Sequence, residues 1–448
     1  MCCSALAAGS PPSLGQDRVL VFLAQLCGLL VVAFLCGRLA KRFRLPAVAG
    51  ELLGGVLLGP SVLGNLPAEL SAWLPQRDPQ QLALLEVVGQ IGLVLLVALA
   101  GAHTDLKLLL RQRLTIGRVS GCGLLVPLAL GVGTGFLLPA SLLGGDRLPF
   151  ALFLGVALSL SAIPVIVSIL TDLGLDRRPF GQLATASAVV DDTVGWLLLA
   201  LLTTTVTTGI TVGAVAVSVG SLLLVVGAAA TIGRRAVRAA LTAAARAADP
   251  RATVALVIIM VLSYAVLTQI AGFEAVLGAF LCGMTIASLD LPDDVLAPLR
   301  TVVTSTFAPV FFVLAGMRMD LSSLADPAVL LPGICVLAVA VLGKFAGAYA
   351  GARWSRAGHW EAIALGAALN ARGVIEVVVA TVGLSLGILV TASYTIVVLI
   401  AIVTSVMAPP IVRLAVARIP GESGTAPIHD GRVPRFPETG INRFLPRS

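Results

Sequence analysis

Asp191 and Asp192 stand side by side about halfway along an otherwise apolar run, residues 181–205. A run of that length crosses a bilayer, which needs roughly 20 residues. A carboxylate near the midplane costs at least ~2.5–3.5 kcal/mol on the mildest insertion scale, and adjacent like charges resist ionising together. A chain that keeps such a pair must meet it with water, a cation or a buried base. The pair therefore marks an ion or proton path, with Asp191 and Asp192 at its centre.

The rest of the chain fits that demand. Its 448 residues are 58% hydrophobic and 12% charged, against about 25% charged in a soluble protein. One polytopic, all-α membrane domain takes up nearly all of it. The net charge of +7 is spread over the loops between apolar windows, which suits a membrane surface and implies no nucleic-acid partner. Cysteines 2, 3, 27, 36, 122, 282 and 335 follow no ligand spacing, and most lie in apolar runs where cysteine packs as a small hydrophobe. Cys2-Cys3 carries no lipidation motif. His103, His359 and His429 share no metal spacing, and no cofactor is implied. Residues 1–16 lack the basic start and short apolar core of a signal peptide. Arginine outnumbers lysine throughout (Lys41, Lys107 and Lys344 are the lysines), which reads as the codon bias of a GC-rich bacterium.

Apolar windows predict about thirteen spans, at 19–38, 46–64, 82–101, 114–138, 150–171, 181–205, 211–231, 252–271, 273–289, 300–317, 328–351, 360–386 and 389–413. Arginine and lysine crowd every second loop, as in Arg38, Lys41 and Arg42, or Arg234, Arg235 and Arg238. By the positive-inside rule the N-terminus is outside and the C-terminus in the cytoplasm, as expected of a multi-pass protein of a bacterial inner membrane. The expected organisation is an extracytoplasmic segment 1–18, a membrane domain 19–413 and a cytoplasmic tail 414–448, whose Gly, Pro and Arg content predicts disorder from 420 onward.

Lys344 is the second residue out of place, deep in the eleventh window. At 1.5 Å per residue, Asp191 lies ~15 Å and Lys344 ~11 Å from the cytoplasmic ends of their spans. A lysine stem covers the difference, so the two charges explain each other as a buried pair. The bland alternative is a lysine snorkelling to the surface. The fifth window contains Pro164, preceded by Ser159 and Ser161. Proline breaks a helix and frees carbonyls, which with hydroxyls make ligands for a hard cation; a simple kink is the alternative. In the twelfth window Asn370, Arg372, Gly373 and Glu376 interrupt the apolar pattern. Arg372 and Glu376, four apart, share a helix face. One interrupted span in each half of the chain points to an inverted-repeat transporter with a midplane site. Glu51, Glu86 and Glu274 lie near span ends, where a structural or solvated role is expected.

These segments, in order, resemble the bacterial monovalent cation:proton antiporters with the sodium/hydrogen exchanger domain. The resemblance runs over residues 20–413. It is carried by RLPAVAGELLGGVLLGPSVLG, LSLSAIPVIVSILTDLGL, AVVDDTVGWLLLAL, FAPVFFVLAGMRMDL, GKFAGAYAGA and LNARGVIEVVV. It implies thirteen spans in two parts: spans 1–3 and 8–10 as a dimerisation scaffold, and spans 4–6 and 11–13 as a mobile core in which spans five and twelve unwind and cross. By the same resemblance Asp192 would bind cation and proton in turn, Asp191 would pair with Lys344 when no cation is bound, and the core would slide against the scaffold. Ligand count adds the expectation that Ser161, Pro164, Asn370, Arg372 and Glu376 support the crossing and that a monovalent metal cation is held by Asp192, Asp191 and Ser161. The partners the resemblance implies are thus a monovalent cation, protons, the lipid bilayer and a second copy of the chain. Where many relatives carry Thr-Asp-Pro, this chain has Ser161-Ala162-Ile163-Pro164, one carboxylate fewer. Gly101-Ala102-His103 replaces the common Gly-Leu-Glu.

The expected function is exchange of Na⁺ or Li⁺ for protons, with K⁺/H⁺ exchange by the same machinery as the alternative. From another class, a sodium-coupled organic anion carrier could hold its substrate on Lys344 and Arg372. An intramembrane aspartyl protease needs aspartates from two helices, whereas Asp191 and Asp192 lie on one, roughly 100° apart; no enzyme is expected.

Overall fold

The computed structural model describes residues 16–43, 46–59, 62, 78–102, 112–172, 175, 179–208, 212–247, 250–289 and 296–419. The Cys2-Cys3 pair, most of the expected segment 1–18, the tail from 420, His103 and His429 lie outside them, as do the loop residues Lys107, Arg177 and Arg178.

The described residues form α1 (Gln16–Arg42), α2 (Ala47–Leu58), α3 (Pro79–Ala102), α4 (Arg113–Leu137), α5 (Arg147–Ser159), α6 (Ile163–Asp172), α7 (Pro179–Thr208), α8 (Val212–Ala228), α9 (Arg234–Ala247), α10 (Pro250–Ile270), α11 (Ala275–Ala287), α12 (Ala297–Val302), α13 (Ala308–Met317), α14 (Pro327–Trp354), α15 (His359–Leu369), α16 (Val374–Ser385) and α17 (Thr391–Val416). Single π turns, Ala229–Gly233 and Val303–Phe307, join α8 to α9 and α12 to α13. Nine stretches of the described residues are long and apolar enough to cross a membrane. Among the described residues the apolar windows fall on helices, in two pieces at the expected breaks of windows five and twelve and, unexpectedly, around the π turn in window 300–317; the end of window 46–64 lies outside the described residues. The structure also shows what periodicity hides: α9 continues the seventh span as a basic amphipathic helix. Val237 and Leu241, one turn apart, are buried, while Arg234, Arg235 and Arg238 face outward.

Packing pairs off between the two halves of the chain. α1 packs on α2 as α10 packs on α11; α3 packs on α11 as α2 packs on α13. In the other group, α4 packs on α5 and α7 as α14 packs on α15 and α17, and α4 and α14 pack on each other. Lipid gives no hydrophobic drive between helices, so small residues set these contacts. A Cβ on Gly316 would lie 2.1 Å from the Leu52 carbonyl, and one on Gly55 2.1 Å from that of Val313. The α3–α11 seam is built likewise, with Gly283 against the Ala98 carbonyl at 2.0 Å and Gly101 against that of Phe280 at 2.5 Å.

Gly316→Ala therefore forces α2 and α13 apart and should cost about 1–3 kcal/mol, the usual penalty of overpacking. Gly220→Ala is the control: nothing lies within 4 Å of its Cβ position, so it should be neutral or slightly stabilising. Melting of the detergent-purified variants checks both, and equal melting points would show that the seam is not close-packed.

Candidate ion-binding site

The chain breaks twice, and the breaks meet. Pro164 has no N–H to return to the Leu160 carbonyl, and a proline cannot continue the preceding helical turn. The backbone is extended at Leu160 (φ −75°, ψ 154°) and α6 starts only at Ile163. Pro164 thus sits in the first turn of the second half-helix, where a missing N–H costs nothing, rather than kinking one continuous span. The other break separates α15 from α16 between Asn370 and Gly373. The Ala162 N–H donates to the Ala371 carbonyl at 3.0 Å. The Ser161 hydroxyl lies 2.8 Å from the Leu369 carbonyl, which accepts from it. A Cβ on Gly373 would sit 2.9 Å from Val165 Cγ2 and 3.3 Å from Ala162 Cβ, so glycine lets the two broken chains cross.

Broken helix ends leave carbonyls without partners, and two buried cations take those of α5. Arg372 Nη1 and Nη2 donate to the Ala157 carbonyl at 3.2 Å and the Leu158 carbonyl at 2.6 Å, and Nη2 also reaches the Ala340 carbonyl at 3.2 Å. Lys344 Nζ donates to the Ser159 carbonyl at 2.5 Å. Cations at a helix C-terminus also answer its dipole. The sequence reading offered freed carbonyls and both serine hydroxyls to a cation. The structure removes Ala157, Leu158 and Ser159 carbonyls from that supply, and the Ser159 hydroxyl donates to the Val156 carbonyl at 2.8 Å.

Lys344 does not snorkel. It is fully buried, with Nζ 2.6 Å from Asp191 Oδ2. Ser161 Oγ is 2.9 Å from the same oxygen; its one proton serves either this carboxylate or the Leu369 carbonyl. Arg372 Nη1 binds Glu376 Oε1 at 2.8 Å, both buried, which balances charge at the crossing without drawing on the aspartates. Asp192 is different: it is fully buried and neither carboxylate oxygen has a side-chain donor, only the weakly placed backbone N–H of Ile163 at the start of α6. Asp191 Oδ1 and Asn370 Oδ1 are likewise buried and unpartnered. Four acceptor oxygens next to the crossing thus lack a well-formed hydrogen bond, where each would ordinarily be satisfied. Oxygen acceptors alone are a donor set for a hard cation or for protons.

Sequence reasoning missed three supporting contacts. Ser405 donates to the Arg372 carbonyl. Ser120 donates to the Ser187 carbonyl at 2.9 Å, tying α4 to α7. Tyr394, fully buried, donates from Oη to the Ala315 carbonyl at 2.7 Å, tying α17 to α13. Hydroxyls in apolar spans usually bond their own helix, so their spacing carries no signal. Glu86 has the structural role expected, paired with Arg318 at 2.6 Å.

The sequence model of the family described as sodium/hydrogen exchanger, transmembrane, matches residues 30–418. The chain belongs to the sodium/hydrogen exchanger family. As an exchanger of this family it is 32% identical over 403 residues to the Na(+)/H(+) antiporter NhaS4 of Synechocystis, covering 88% of this chain and 97% of that protein. It is 29% identical to cation/H(+) antiporter 17 of Arabidopsis thaliana, covering 90% of this chain but 49% of the relative, so the chain spans about half the length of that plant protein. It is 27% identical to the Na(+)/H(+)-K(+) antiporter GerN of Bacillus cereus, over 88% of this chain and 95% of that one. Among solved structures, the sodium proton antiporter MjNhaP1 of Methanocaldococcus jannaschii shares the exchanger's fold, with a TM-score of 0.64 at 18% identity over 89% of this chain and 98% of that one.

Proposed function

We propose that this exchanger is a cation/proton antiporter in which Asp192 binds a monovalent cation, Na⁺ or Li⁺ before K⁺, and protons in turn. One observation carries the reading: Asp192 is a fully buried carboxylate with no side-chain donor on either oxygen, beside a neighbouring aspartate already paired with Lys344. An isolated buried charge is costly, so such a group is stable when protonated or when it holds a cation, and the two compete. Cation entry weakens the Asp191–Lys344 pair and releases a proton from Lys344, which makes exchange electrogenic. The group of helices around α4 and α14 moves as an elevator against the group around α2, α3, α11 and α13, in a homodimer with its C-terminus in the cytoplasm. The names of NhaS4 and GerN support cation/proton exchange. The K⁺ alternative is favoured by 27% identity to the K(+)/H(+) antiporter 1 of Saccharomyces cerevisiae, of which the chain covers 46%.

The test is a pH dye inside proteoliposomes that hold an inward proton gradient, with Na⁺, Li⁺, K⁺ and choline added in turn. Dequenching by Na⁺ and Li⁺, and not by choline, is expected without any organic solute. Dequenching by K⁺ alone selects the alternative, and a requirement for an organic anion rejects antiport. In the same assay Ser161→Ala should raise the apparent Michaelis constant for the cation several-fold with maximal rate largely kept, because it removes one oxygen of the shell. Equal affinity in variant and wild type at pH 7 and pH 9 would take Ser161 out of the site.

A further inference from the structure

One end of the ion-site helices carries charge that the mechanism above leaves unused. The start of α4, the end of α14, the start of α15 and the end of α17 come together there. They bear Arg113, Arg118, Arg353, Arg356, Arg413 and Arg418. Arg113, Arg353, Arg356 and Arg418 are exposed. Among the side chains described on this face Glu361 is the carboxylate, and its Oε2 is engaged, accepting from the Gly358 N–H at 3.3 Å. The arginines are interleaved with aromatic and apolar groups. Arg118 lies over the Trp354 ring at 5.3 Å, and Arg418 over Trp360 at 4.5 Å. Leu114, Trp354 and Leu414 are 70%, 65% and 63% exposed. Exposed apolar groups beside guanidinium heads suit the boundary between acyl chains and headgroups.

A second observation is independent of composition. Arg356 has φ 65°, and among the described residues it is the non-glycine with positive φ. That region is strained for any residue with a Cβ and is normally filled by glycine. Here the turn after α14 holds an arginine instead, with Arg353 Nη1 donating to the Ala357 carbonyl at 2.7 Å to fix the same turn. Strain kept at a surface position points to a use for its side chain.

We infer that this face binds the headgroups of anionic phospholipids, with guanidinium groups on the lipid phosphates and Trp354, Leu114 and Leu414 among the acyl chains. Charge complementarity selects the occupant: among the described side chains this face has six arginines and one engaged carboxylate, which suits an anionic leaflet. Stacking on indole leaves guanidinium edge open to phosphate, although Arg118 Nη1 also donates to the Trp354 carbonyl at 3.4 Å. The inference stands apart from the transport reading, since it concerns binding at the surface of the helix ends.

The test measures melting of the detergent-purified full chain with added phosphatidylglycerol, phosphatidylcholine or inorganic phosphate. A ligand that binds the folded state raises its melting point. Phosphatidylglycerol should stabilise the wild type by several degrees, and phosphatidylcholine and inorganic phosphate should not. In Arg353→Gln/Arg356→Gly/Arg418→Gln the phosphatidylglycerol increment should disappear, because each basic group near the surface is worth roughly fivefold in affinity, together about a hundredfold. Arg356→Gly alone relieves the strained turn. It should melt at or above the wild type without lipid and still lose a measurable part of the increment. The inference is overturned if phosphatidylglycerol leaves the wild type unmoved, if inorganic phosphate stabilises it equally, or if Arg356→Gly responds fully.

Discussion

Asp192→Asn should abolish cation-dependent proton exchange in proteoliposomes while the purified variant melts at or above the wild-type temperature. Both halves follow from one fact, that the Asp192 carboxylate is buried with no side-chain partner on either oxygen. Replacing it breaks no side-chain hydrogen bond, and the amide oxygen can still accept from the Ile163 N–H. It also removes a like charge next to Asp191, so stability should hold or rise. Transport needs what the amide lacks, a site that is negative when deprotonated and neutral when protonated. On the proposed mechanism, competition for that one carboxylate should also set the pH response of the wild type. Apparent cation affinity should then fall as pH falls, approaching about tenfold per pH unit once the group is mostly protonated. Dye dequenching across pH 6 to 9 measures this limb. Wild-type exchange rates in Asp192→Asn, or a large drop in its melting point, would remove Asp192 from the role.

Lys344→Ala should show the opposite balance: a large loss of stability. The ammonium is fully buried and donates to Asp191 Oδ2 and to the Ser159 carbonyl. Removing it strands a buried carboxylate and uncaps the C-terminal end of α5, a loss of about 3–5 kcal/mol for a broken buried pair. Asp191→Asn in the same chain should restore part of that loss, since the stranded charge is gone; the shortfall from additivity is the coupling of the pair. Any exchange that survives in Lys344→Ala should have lost its response to a valinomycin-clamped potential, because the second proton carrier is missing. A variant that matches the wild type in both melting and potential dependence would show that the pair does no work in the cycle.

Much of this protein is legible along the chain. Charges in a lipid-facing span are so costly that each one present must be answered, and Asp191, Asp192, Lys344, Arg372 and Glu376 declare themselves that way. Span positions follow from apolar length, and Pro164 and Gly373 mark where two spans break. The pairing of Lys344 with Asp191 across 153 residues could be argued from depth alone, because helical rise converts residue number into height.

Lateral placement was not legible, since depth says nothing of direction within the membrane. Sequence offered the freed carbonyls of the fifth span to the ion. The tertiary structure gives the Ala157, Leu158 and Ser159 carbonyls to Arg372 and Lys344 instead and leaves Asp192, Asp191 Oδ1 and Asn370 with oxygens that lack a side-chain donor. It also decided that Pro164 starts a half-helix, that the Ala162 amide is satisfied by Ala371 from the other break, and that glycines at 55 and 316 bring α2 and α13 backbone to backbone. The physical division is between one-body and two-body terms. The cost of burying a charge or losing a backbone N–H belongs to a residue and its local chain, so sequence determines it. Which donor meets which acceptor depends on helices brought together from distant parts of the chain, and only the packed structure decides that.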